Sequence, residues 1–225
     1  MNHDQALPAV AIRTVALVIM SYGYRGLKSL AIDKVVREQY GGHFQYLTIQ
    51  GLALVWLTLL TSLIGTIFPS FRSLRSIKRH LATVALPLSI IISVIYWSLL
   101  LFMPQFILQS FHEEPPLSST SSLDLFRIPL SLDLALHACP ASFLLLDFFL
   151  FEKKYSKRYV NVAGPLSIVC FSIWYGLWVE YCGKKNDTFP YPFLTENILS
   201  VRIAIYGGAT FLALLSFRFI NHIHG

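Results

Sequence analysis

Apolar residues along this chain gather in long, nearly unbroken runs, without the strict alternation of strands or the one-sided stripe of a soluble helix. Six runs stand out, over 9–30, 46–68, 82–104, 129–151, 162–182 and 200–220. A bilayer core is crossed by about 20 apolar residues at about 1.5 Å rise each, so every run reads as a membrane-spanning helix. The pattern predicts an all-α, polytopic bundle of six transmembrane helices, forming a single transmembrane domain over 1–225. Short polar segments punctuate the runs. Pro115-Pro116, followed by Ser118 to Ser122, marks an irregular third loop, as expected where proline and serine cluster. Tyr191-Pro-Phe-Leu194 has the aromatic character of a segment at the lipid head-group level. The first run is interrupted by Arg13 and Arg25. It has no basic leader and no small-residue cleavage site, so it reads as a retained span and not a signal peptide. Its arginines are expected near the two interfaces, where long basic side chains snorkel.

Composition strengthens the membrane reading. Hydrophobic residues make up 55% of the 225 residues and charged residues only 13%, against about 25% charged in soluble domains. Arg72, Arg75, Lys78 and Arg79 fall on the second loop, and Lys153, Lys154, Lys157 and Arg158 on the fourth. The longer odd loops hold Lys28, Lys34, Arg37, Arg127, Lys184 and Lys185, and the third also carries Glu113, Glu114 and Asp124. The bias of eight cations against six, sharpened by loop length, puts 69–81, 152–161 and both termini in the cytosol. The net charge of +6 then suits anionic lipid head groups. A nucleic-acid partner is not expected, since no basic soluble face exists. The odd number of cysteines, Cys139, Cys170 and Cys182, within or beside spans argues against a disulfide framework.

The candidate chemistry is reached by elimination. No phosphate loop, dinucleotide fingerprint or Gly-x-Ser-x-Gly elbow is present, so no cofactor is expected. Among seven histidines only His137 falls well inside a span. His222-Ile-His224 is a weak metal pattern at a terminus, and no metal is expected. An ionisable side chain in a span is costly and usually functional, so His137 is the leading candidate. Its partner is Thr48, in Gln45-Tyr-Leu-Thr-Ile-Gln50 at the start of the second run. From the same membrane face, Thr48 lies roughly 4–5 Å and His137 roughly 12 Å into their spans, depths that helix tilt reconciles. Asp133 precedes His137 by four residues and shares its helix face. A carboxylate there orients an imidazole, and the imidazole takes the proton of an attacking hydroxyl, which is the logic of a nucleophile–His–acid triad. The plainer reading also stands: span threonines commonly bond their own helix, and Thr58, Thr61, Ser62 and Thr66 share this run. Asp147, near the cytosolic end of its span, is expected to pair with Lys153 or Lys154.

The succession of motifs resembles a known family. Gly41-Gly-His-Phe-Gln-Tyr-Leu-Thr48 is similar to the Gly-Gly-x-x-x-Tyr-Leu-Thr segment of the androgen-induced and androgen-dependent membrane proteins. Leu132-Asp-Leu-Ala-Leu-His137 looks like that family's histidine-bearing helix. Trp178-Val179, Tyr191-Pro-Phe-Leu194 and Arg202 match its C-terminal pattern, so the likeness runs over nearly the whole chain. The family comprises multi-span threonine hydrolases that cleave fatty acid esters of hydroxy fatty acids. The resemblance therefore implies Thr48 as nucleophile and His137 as its base. Asp133 departs from the family's usual Asn, the third loop is extended, and Lys184-Lys-Asn-Asp187 lengthens the fifth.

The resulting expectation is an intramembrane hydrolase of lipid esters, with substrate arriving laterally from the bilayer. Arg202, Tyr46 and N–H groups at the start of the second span are its candidate oxyanion donors. The endoplasmic reticulum membrane is the expected location. The alternative is a non-catalytic lipid- or sterol-binding protein or scaffold, in which Thr48 and His137 only hold helices together.

Overall fold

A computed structural model describes residues 3–108 and 127–224. Its main elements are α1 (His3–Gly26), α2 (Asp33–Glu38), α3 (Leu47–Ile67), α4 (Arg72–Phe102), α5 (Leu130–Asp133), α6 (Cys139–Phe151), α7 (Gly164–Asn186), α8 (Pro192–Thr195) and α9 (Leu199–Ile223). A π turn, Leu134–Ala138, joins α5 to α6, and a second, Tyr159–Ala163, leads into α7. Among the described residues there are no strands, and six helical stretches are long and apolar enough to cross a membrane. The acidic, Ser-rich part of the third loop, including Glu113, Glu114 and Asp124, lies outside the described residues.

The sequence explains where helices stop. α3 ends at Ile67 because Phe68 precedes Pro69, and the residue before a proline is pushed out of the α region. α4 starts at Arg72, ten residues earlier than hydropathy suggests. Lys, Arg and Leu are good helix formers, so the apolar helix continues through its basic flank. Its 31 residues extend to about 46 Å, beyond a hydrocarbon core of about 30 Å. Both π turns precede a proline by two residues, Pro140 and Pro165. Proline has no N–H for the ordinary helical bond, and in each case the next N–H reaches back five residues, Cys139 to the Leu134 carbonyl and Gly164 to that of Tyr159.

α4 is the hub, packed against α3, α6, α7 and α9, while α1 lies against α3 and α6. The core between them is filled by Met20, Val55, Leu59, Leu86, Leu144 and Phe217. Large apolar side chains such as Phe102, Leu177, Ile203 and Phe219 are exposed on the outside, an arrangement that suits lipid as solvent and would be a liability in water.

Two expectations about charge are corrected. Arg13 does not snorkel to an interface. It is buried in the bundle, where its Nε donates to Asp147 Oδ1 at 2.6 Å and its Nη1 reaches the Ser62 carbonyl and the Thr66 hydroxyl. Asp147 pairs with Arg13 and, at 2.9 Å, with Lys78, and not with Lys153 or Lys154. Lys78 also contacts Glu152. The reason is depth: Asp147 is one turn inside α6, and a carboxylate there needs cations of equal depth on α1 and α4.

Candidate active site

Thr48 is presented by a loop whose path is set by two glycines. Gly41 and Gly42 both adopt positive φ, +85° and +49°, a conformation open to glycine at small cost. A Cβ on Gly41 would lie 2.8 Å from Cys182 Sγ and 3.2 Å from the Trp178 ring, so the first glycine is required by space as well as by φ. A 3₁₀ turn, Gly42–Gln45, follows, and Tyr46 in extended conformation starts α3. Thr48 is therefore the second residue of the helix. The turn is fastened to α7: Tyr175 donates to the Gln45 carbonyl at 3.2 Å, Trp178 Nε1 to the Phe44 carbonyl at 3.1 Å, and Asn186 Nδ2 to the Tyr40 carbonyl at 3.1 Å. Gln45 is fully buried and donates to Gln39 Oε1 at 2.7 Å.

The helix start supplies the positive end of a helix dipole. Its first N–H groups have acceptors: Leu47 donates to the Tyr191 hydroxyl at 2.9 Å, and Ile49 and Gln50 donate to the Tyr46 carbonyl at 3.1 and 3.3 Å. That hydroxyl is also within hydrogen-bonding range of the Thr48 side chain and main chain. Burial pushes the Tyr191 phenol above its ordinary range, against the pull of the Thr48 and Leu47 donors. Tyr191 packs edge-on to Tyr46, ring centroids 5.6 Å apart, and stacks on Phe193.

His137 stands on the π turn before Pro140 and is buried. Its Nδ1 meets Asp133 Oδ1 at 2.7 Å, which leaves Nε2 as the nitrogen open to a proton from a ligand. The imidazole lies flat on Tyr96 of α4, with centroids 3.4 Å apart and planes within 3°. The Tyr96 hydroxyl in turn reaches Asp133. A widened turn, a carboxylate and an aromatic plate together fix the ring, and π turns of this kind recur at functional sites.

Thr48 and His137 face one cavity of about 130 Å³, whose walls include His43, Tyr46, Tyr96 and Tyr191. Thr48 also lines a second, almost wholly apolar cavity of about 310 Å³ between α4, α7 and α9. Tyr96, Ile107 and Tyr191 are common to both walls. Of the expected oxyanion donors, Tyr46 is at the smaller cavity but Arg202 is at neither. Arg202 forks onto Glu180 at 2.7 and 2.8 Å and donates to the Asn197 carbonyl. His224 turns inward to the Phe148 carbonyl at 3.0 Å. Among the described residues no three His, Cys, Asp or Glu side chains converge as metal ligands.

Sequence reasoning missed several members. Tyr96 carries no signal in an apolar run, because only tertiary packing lays it on His137. Tyr191 read as a head-group anchor. His43 looked like a plain loop residue, yet its Nε2 meets the buried Asp33 at 2.7 Å and its side chain lines the smaller cavity. The signal available was its place inside the Gly-Gly to Thr48 segment.

The chain is 26% identical over 215 residues to UPF0641 membrane protein PJ4664.05 of Schizosaccharomyces pombe, an alignment covering 95% of this chain and 88% of that protein. No solved structure matches it. The model of the FAR-17a/AIG1-like proteins matches residues 9–225, nearly the entire length. This chain is an integral membrane protein belonging to the FAR-17a/AIG1-like family.

Proposed function

We propose that this protein is an intramembrane threonine hydrolase of lipid esters, cleaving fatty acid esters of hydroxy fatty acids or related lipids. The observation that carries the reading is the meeting of Thr48 and an Asp133-held His137 on one cavity inside a membrane bundle. Thr48 Oγ attacks the ester carbonyl and passes its proton to His137 Nε2. Asp133, on the other ring nitrogen, fixes the tautomer and stabilises the developing imidazolium. As the tetrahedral intermediate collapses, the C–O bond to the alcohol breaks, and His137 returns the proton to the departing oxygen. The same imidazole then draws a proton from water, which attacks the acyl-threonine and frees the fatty acid with Thr48 regenerated. The negative oxygen of each intermediate is met by the Tyr191 hydroxyl, a donor of the kind that stabilises oxyanions, and by the positive end of the α3 dipole.

Replacing Thr48 or His137 by Ala should abolish ester hydrolysis in a protein that still inserts and folds, and Thr48→Ser should retain activity. A serine-hydrolase-type covalent probe should label the wild type and not Thr48→Ala. Absence of both labelling and turnover in folded wild type would favour the second reading, a non-catalytic lipid or sterol binder. The apolar walls of the larger cavity suit that reading. We place the protein in the endoplasmic reticulum membrane with both termini cytosolic. A cysteine introduced at Ser76 should then react from the cytosolic side, and labelling from the lumen would reverse the orientation.

A further inference from the structure

We propose that the two cavities are the two arms of one substrate site, and that their chemistry fixes which half of the ester lies in each. This rests on the hydrolase reading above. Thr48 is at the junction, with Tyr96, Ile107 and Tyr191 as the shared wall. His137 lines only the smaller arm. In acyl transfer the group that must meet the general acid is the departing alcohol oxygen, because it leaves as the base's proton returns to it. The alcohol fragment therefore occupies the smaller arm, on the His137 side. The acyl chain, which stays on Thr48 through the first step, extends into the larger arm.

The walls agree with that assignment. The larger arm has more than twice the volume, about 310 against 130 Å³, and is lined by Leu88 and Ile92 of α4, Phe171 of α7, and Ala209 and Ala213 of α9. Nothing there needs more than a hydrocarbon chain. The smaller arm carries a second histidine–carboxylate pair, unused in the mechanism: His43 Nε2 on Asp33 Oδ1 at 2.7 Å, with Asp33 Oδ2 held by Arg37 at 2.9 Å. Asp33 is buried and shared by two basic partners, so His43 is held in place with Nδ1 left for a ligand. The smaller arm thus takes an alcohol fragment bearing a polar group, and His43 is the residue that contacts it.

Three variants and one label test the assignment. Ala209→Phe should cut kcat/KM for long-chain relative to medium-chain acyl esters by about tenfold and leave the preference among alcohols unchanged. Ile32→Trp, in the smaller arm, should do the converse. His43→Leu should raise KM by about tenfold for esters with a polar group on the alcohol and leave the plain alkyl ester of equal size unaffected. Exchange of the Ala209 and Ile32 patterns would overturn the orientation, and equal KM changes for both alcohols would remove His43 from recognition. A photoreactive group on the far end of the acyl chain, bound to Thr48→Ala, should mark α7 or α9. Marking of 27–43 would overturn the assignment even if no ester were ever hydrolysed, which separates its failure from that of the hydrolase reading.

Discussion

The hydroxyl of Tyr191 accepts the Leu47 N–H at 2.9 Å, joining the loop before the last span to the residue beside Thr48. That bond ties the first turn of α3 to an aromatic cluster 144 residues away. Tyr191→Phe keeps the packing and removes the acceptor. It should cost about 1–3 kcal/mol of stability for an N–H left without its partner. It should lower turnover by about 10²-fold or more if the phenol serves the oxyanion. Burial raises this phenol above its ordinary value near 10, so it keeps its proton at neutral pH and above. Turnover should show no loss attributable to Tyr191 between pH 7 and about 9. Rates and melting temperatures of the purified variant in detergent check both parts, and a near-native rate would remove Tyr191 from the site.

Asp133 and His137 make a two-residue test of triad against dyad. Asp133→Ala should depress kcat much more than it raises KM, because the carboxylate matters most as imidazolium charge develops. Asp133→Asn should be milder, since its amide oxygen still accepts from Nδ1–H at the observed 2.7 Å position. Equal, near-native rates for both would reduce the site to Thr48 and His137 alone.

The two glycines ahead of Thr48 should respond unequally. Gly41→Ala combines a positive φ with a 2.8 Å clash at Cys182 Sγ, so it should displace the 3₁₀ turn, lower stability by about 1–3 kcal/mol and impair turnover. Gly42→Ala has open space, its nearest neighbour being the Val36 carbonyl at 3.9 Å. It should cost only the left-handed penalty of about 1–2 kcal/mol and retain most activity. Paired melting curves and rates decide; equal effects would mean that the clash at Cys182 is relieved by a small shift.

The buried pair Arg13 and Asp147 should behave as structure and not as chemistry. Asp147→Asn strips Arg13 of its carboxylate and should destabilise by about 3–5 kcal/mol, whereas Arg13→Met should cost less, because Lys78 at 2.9 Å still partners Asp147. The double variant should lose less than the sum of the singles, because the charge left over by each change is absent when both are made. Thermal unfolding of the three proteins measures the coupling, and strict additivity would show that the two side chains do not stabilise each other.

Local rules along the chain were enough for the class of molecule and for part of the candidate site. Apolar runs of spanning length allow only helices, because backbone polar groups in lipid must be satisfied within the segment. The spacing of Asp133 and His137 put both on one helix face, whereas the left-handed turn at the two glycines before Thr48 emerged only in the folded chain. What tertiary structure decided was every relationship between helices that hydropathy weighs alike. Tyr96 on His137, Tyr191 on Leu47, and Arg13 with Lys78 on Asp147 join residues far apart in sequence. An apolar run reads the same whichever side faces lipid, so the pattern carries no record of which tyrosine or arginine turns inward. That choice is made by packing, and by the cost of leaving a buried polar group without a partner.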